Sequence, residues 1–146
     1  MRAALRGMLG LAIASLVAAA PPAPSPVGIW RTFDDRTGKE SGRVAITERN
    51  GELSGRITGI LDPHDAVQLC TLCTGARHDQ PVLGMTVLTG MHRDGDEWDG
   101  GQILDPRTGS IYHCTLRLED GGARLVVRGY IGISLFGRSQ TWLRAG

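Results

Sequence analysis

The sequence predicts an all-β fold, an eight-stranded antiparallel up-and-down barrel, and three observations lead there. Apolar residues recur at every second position in short runs, as in strands that bury one face. Turn chemistry punctuates those runs, much of it from the 21 glycines. Nothing after residue 26 has helical spacing, and a set of strands joined by short turns must hide two sheet edges, which closure into a barrel does.

The strands are predicted over 27–33, 42–49, 52–60, 82–92, 97–105, 110–118, 123–131 and 138–144. Val44 and Ile46 alternate with Arg43, Ala45 and Thr47. Asn50-Gly51 supplies a type I′ hairpin turn, because both residues tolerate positive φ, and Leu53 and Ile57 carry the pattern back. Tyr112, Cys114, Leu116 and Leu118 share one face of a later strand, Asp120-Gly121-Gly122 turns the chain, and Leu125 and Val127 continue it. Asp34-Asp35-Arg36-Thr37-Gly38 is echoed by Asp105-Pro106-Arg107-Thr108-Gly109, each ahead of an alternating strand and an Asn-Gly or Asp-Gly hairpin. These are ordinary turn residues. The echo therefore reads first as shared turn chemistry and second as a pseudo-repeat within an antiparallel meander.

The N-terminus reads differently. Arg2 and Arg6 precede an apolar stretch from Met8 to Val17 and the small residues Ala18, Ala19 and Ala20, the pattern of a secretory signal peptide. The stretch falls short of the roughly 18 residues that cross a bilayer as a helix, and no later segment supplies such a run. Cleavage is expected after Ala19, because Pro21 would sit badly behind a cut at Ala20. The expected organisation is a signal peptide over 1–19, a stiff proline-rich spacer over 20–26, and a single barrel domain over 27–146. No cysteine follows the apolar stretch to carry a lipid anchor, so the product is expected to be exported to a bacterial periplasm.

Removing Arg2 and Arg6 leaves 14 basic residues against 15 acidic ones. Without a basic stripe or a basic amphipathic helix, the chain is expected to bind neither nucleic acid nor an anionic membrane through charge.

Gly28-Ile29-Trp30, at the head of the first strand, is similar to the Gly-x-Trp of lipocalins and their calycin relatives. That likeness implies a tryptophan sealing the closed end of the barrel beneath an arginine from near the last strand, here Arg144, in a cation–π contact. A longer resemblance spans Gly28 to Thr32, Asp34 to Lys39, Gly100 to Pro106 and Arg128 to Arg138, followed by Ser139-Gln140-Thr141-Trp142. It resembles the bacterial family known as domain of unknown function 2147, small exported proteins with a lipocalin-like barrel. The resemblance implies the fold and export, and brings no catalytic residues with it.

Strands that alternate in direction place the connections at 34–41, 61–81, 106–109 and 132–137 at one end of the barrel. The short hairpins at 50–51, 93–96 and 119–122 gather at the other. The first end is the expected mouth. Its longest connection holds Cys70-Thr71-Leu72-Cys73, which in an oxidising compartment is expected to form a disulfide. Cys114 is the odd thiol, placed by alternation at a buried position, with a bridge to Cys70 or Cys73 the alternative. Two further readings of the loop carry less weight: redox catalysis, which expects Cys-x-x-Cys at a helix start, and zinc held by His64, Cys70, Cys73 and His78, whose spacing matches no standard finger. His92 and His113 read as surface or strand residues. Asp34, Asp35, Asp62, Asp65 and Asp105 gather toward the mouth, where paired carboxylates would permit acid–base chemistry, but turn aspartates ordinarily serve Asx hydrogen bonds. No serine nucleophile elbow, phosphate loop or His-Glu-x-x-His is present. No enzyme activity, cofactor or metal is expected.

The run from Ile131 to Phe136 remains. Its bland reading is a strand end with a glycine bend at Gly132. Its functional reading is an apolar lip, Ile133, Leu135 and Phe136, which together with Tyr112 on the inner wall would contact a small apolar or lipid-like ligand. The expected function is a non-enzymatic binding module for such a ligand in the periplasm. The alternative is an envelope protein-interaction module with a filled barrel. An open apolar interior would favour the first and a packed interior the second.

Overall fold

The computed structural model describes residues 10–61 and 68–146. The strands are β1 (Gly28–Phe33), β2 (Glu40–Arg49), β3 (Glu52–Ile60), β4 (Thr86–Asp94), β5 (Glu97–Asp105), β6 (Ser110–Glu119), β7 (Arg124–Tyr130) and β8 (Gly137–Arg144). Each pairs antiparallel with its neighbour in sequence, and β1 pairs with β8, so the eight strands close into a barrel. The only helical turns among the described residues are three-residue 3₁₀ segments. The arginines of the signal-like N-region lie outside the described residues, and residues 10–25 form no secondary structure.

Turn chemistry sets the register. Asn50 and Gly51 have φ of 51° and 79°, and Asp120 and Gly121 have 50° and 64°, left-handed values that let tight hairpins join β2 to β3 and β6 to β7. The two echoed segments fold alike. In one, Asp34 accepts backbone N–H bonds from Arg36 and Thr37 on Oδ1, and its carbonyl accepts from Gly38 at 2.8 Å. In the other, Asp105 Oδ1 accepts from Arg107, and its carbonyl accepts from Gly109 at 2.8 Å. The β1–β2 and β5–β6 turns thus share one construction, four strands apart in the barrel order.

One element differs from expectation. β4 begins at Thr86, where alternation places its start at 82. Gly84 takes φ of 87° and donates to the Ile57 carbonyl, while Val82 donates to the Gln68 carbonyl. Residues 82–85 therefore belong to the long connection, whose apolar residues mimic a strand because they too are partly buried.

Inward residues of the strands fill the closed half of the barrel around Trp30, Leu53, Met91, Leu116 and Leu125, all fully buried. The floor is fastened by one arginine. Arg144 stacks its guanidinium 4.3 Å from the centre of the Trp30 ring. It also donates to the carbonyls of Gly122 (2.7 Å), Val27 (2.9 Å) and Ser25 (2.7 Å). Pro26 is buried in the same floor, and its carbonyl accepts the Trp30 indole N–H at 2.7 Å. Gly28 is required beneath them: its φ is 142°, and a Cβ there would stand 2.6 Å from Arg144 Nη1. Cys114 is a free thiol within the same core, and burial pushes its pKa up to about 12, which leaves it unreactive.

Candidate functional site: a cavity under the barrel mouth

The open half of the barrel is hollow. A cavity of about 600 Å³ lies above the packed core, with Val44, Ile57, Ile103, Val127 and Trp142 among its apolar lining. That volume lies within the range of small-molecule sites. Gly129 brings no side chain to this wall: an added Cβ would meet Tyr112 at 3.4 Å and Ile103 at 3.7 Å, ordinary contacts.

The long connection forms part of the wall. Cys70 and Cys73 are joined by a disulfide, and with Met85, Val87 and Leu104 they make a second small core. The bridged loop seats on the β5–β6 turn. Cys70 Sγ lies 3.3 Å from the Pro106 carbonyl, a packing contact because the bonded sulfur has no proton to donate. A Cβ on Gly109 would collide with the Leu72 carbonyl. Seated there, the connection turns Leu69, Thr71 and Val82 toward the cavity.

Polar contacts cross the mouth. Arg107, on the β5–β6 turn, meets the nearly buried Asp34 of the β1–β2 turn at 3.3 Å. Beside them Gln140 donates to Asp35 Oδ2 at 2.8 Å and accepts the Trp142 indole N–H at 3.2 Å. The Asp34 carboxyl is held below the usual carboxylate range, chiefly by the Thr37 backbone N–H and further by that of Arg36, against the opposing effect of burial. A group whose pKa is lowered by folding stabilises the fold above its unfolded pKa, and that contribution is lost as pH falls through the folded value. Asp34→Asn should therefore be less stable than the parent at neutral pH, with the gap closing below about pH 4. Urea denaturation across pH checks this, and a gap that persists into acid would refute it.

Tyr112 lines the cavity from β6. Ile133, Leu135 and Phe136 stand at the β7–β8 connection, exposed by 59%, 76% and 76%, and are not in the lining. Cys70 and Cys73 are bonded to each other, which removes both thiolates from a zinc site. His78 binds the Cys73 carbonyl through Nδ1 at 3.0 Å and sits beside Asp79. His92 lies near Glu52, and the His113 ring packs on Tyr130. His64, Asp62 and Asp65 lie outside the described residues. Among the described residues no group of three His, Cys, Asp or Glu is placed to hold a metal ion, and no helix is long and apolar enough to cross a membrane. Sequence reasoning missed Gly129, Arg138 and Gln140 as inward-facing residues of the open half. The signal was there, since Arg138 and Gln140 precede the core residue Trp142 by even steps.

Residues 28–144 match the family described as an uncharacterized protein conserved in bacteria, DUF2147. The chain belongs to this family. The DUF2147 barrel is also similar to a solved structure, a protein from Helicobacter pylori described as belonging to the lipocalin family, HP1028. That likeness has a TM-score of 0.72 at 19% identity and covers 84% of each chain. At that identity it speaks for the fold alone: the DUF2147 domain is a lipocalin-like barrel. None of the curated proteins compared matches the sequence.

Proposed function

We propose that this protein is a non-enzymatic binding module that takes a small ligand with an apolar body into its barrel, and that it works in the bacterial periplasm after export. The observation that carries the reading is the cavity of about 600 Å³ above a packed core. Export is supported by the signal-like N-terminus, the Cys70–Cys73 disulfide and the bacterial family. The alternative, an envelope interaction module, called for a filled barrel. The hollow upper half weighs against it, although the exposed Ile133, Leu135 and Phe136 offer a surface that a partner delivering ligand would touch.

Native mass spectrometry of protein from the host periplasm tests the reading. The parent should carry a co-purifying small molecule near unit occupancy. Gly129→Leu, which fills the cavity from a position of ordinary backbone, should lose it while melting as a single folded species. Equal occupancy in both proteins, or repeated absence from the folded parent, would count against the cavity as the binding site.

A further inference from the structure

The cavity is apolar over much of its wall, but its polar groups are unequally satisfied. Arg43, Arg107 and Arg138 all contribute to its lining. Arg43 is paired with Glu40 at 3.1 Å, and Arg107 with Asp34 at 3.3 Å and Asp105 at 3.6 Å. Arg138 forms no ion pair or hydrogen bond among the described residues, and neither does the Tyr112 hydroxyl.

Register places these two groups together. Trp142, Gln140 and Arg138 lie on one face of β8, and Trp142 is a core residue, so that face is the inner one. Arg138 pairs with Gly129 on β7, and Gly129 looks onto Tyr112 of β6. An unpaired guanidinium and a phenol thus flank a position with no side chain, at the upper edge of an apolar chamber. Both are hydrogen-bond donors. The one neighbouring carboxylate on this side that the β8 residues engage, Asp35, is bound by the Gln140 amide and not by Arg138.

We infer that the ligand carries a single anionic group, a carboxylate or a phosphate monoester, bound by Arg138 with Tyr112 beside it while the apolar body occupies the chamber below. This inference rests on the cavity being the ligand site. The energetic reason is that a charge-assisted hydrogen bond to a guanidinium is about twice as strong as a neutral one. An uncharged ligand of the same length would leave the guanidinium facing the mouth without a counter-charge.

The test is a binding series at neutral pH on the purified chain, read by tryptophan fluorescence, since Trp142 lines the cavity, and by calorimetry. Decanoate, decyl phosphate, decanol and decyltrimethylammonium share one tail and differ in head group. The two anions should bind at least about tenfold more tightly than decanol, and the tighter of the two identifies which anion the site suits. Arg138→Gln should reduce that preference to about twofold while leaving decanol affinity unchanged, Arg138→Lys should keep most of it, and Tyr112→Phe should reduce it in part. Because Arg138 is exposed and holds no other element in place, its variants should melt as the parent does. Equal affinity for decanol and the anions would overturn the inference, as would a preference that survives Arg138→Gln, or tightest binding of the ammonium. In each of those cases the cavity still binds tails. If no member of the series binds, the cavity reading itself fails.

Discussion

Replacing Trp30 with alanine is expected to cost about 3–5 kcal/mol of folding stability. Trp30 is fully buried, and its ring is contacted on one side by the Arg144 guanidinium while its N–H is answered by the Pro26 carbonyl. Truncation leaves a void in the floor, frees a buried carbonyl and removes the surface on which Arg144 lies. Arg144→Ala tests the other half of the joint. It removes the donors to Ser25, Val27 and Gly122 and the contact with the ring together. Arg144→Lys keeps a cation over the ring but cannot reproduce the planar fork, so its loss should fall between the parent and Arg144→Ala. Urea denaturation decides the matter. If Trp30→Ala cost less than about 1 kcal/mol, the floor would not be the fastening that the geometry implies, since buried tryptophan truncations cost several times that.

The same region shows how much of the fold was legible in the sequence. Period-two alternation and Asn-Gly or Asp-Gly turns are local signals, and they mark the strands to within a few residues because each strand buries one face in a closed sheet. β4 was less legible at its start, since Val82 and Met85 are apolar for the sake of the disulfide-bonded loop and not of a ladder. The cavity was not legible at all. Whether an inward face is filled depends on the combined bulk contributed by all eight strands at one height, and no single strand carries that information. Gly129 shows the difficulty. In its own strand it is a small residue before a tyrosine, and only when β6 and β8 flank it does the missing side chain become a space. Arg138 was legible in part: its even spacing from Trp142 gives the inner face, but only the pairing with Gly129 shows that the neighbouring strand brings no side chain beside it.

The echoed turns yield the second large effect, since closely similar construction separates a local cost from a tertiary one. Gly38 and Gly109 hold the same place in their turns, with φ of 70° and 72°. Alanine at either position must adopt a left-handed backbone, at a cost of about 1 kcal/mol. Nothing stands within 4 Å of a Cβ at Gly38, so Gly38→Ala should lose that amount and no more. A Cβ at Gly109 strikes the backbone carbonyl of Leu72, between the two bonded cysteines, and backbone cannot swing aside as a side chain would. Gly109→Ala should therefore cost about 2–4 kcal/mol, the backbone strain plus the displacement of a packed loop. The loop that moves carries Leu69 and Thr71 in the cavity wall, so the same variant should release bound ligand faster, whereas Gly38→Ala should not. Denaturation and hydrogen exchange across residues 68–85 measure both consequences. Equal losses in the two variants, with unchanged protection of the loop, would show that the disulfide-bonded segment is not seated on the β5–β6 turn. A greater loss in Gly109→Ala together with faster ligand release would tie the mouth loop to retention through one glycine.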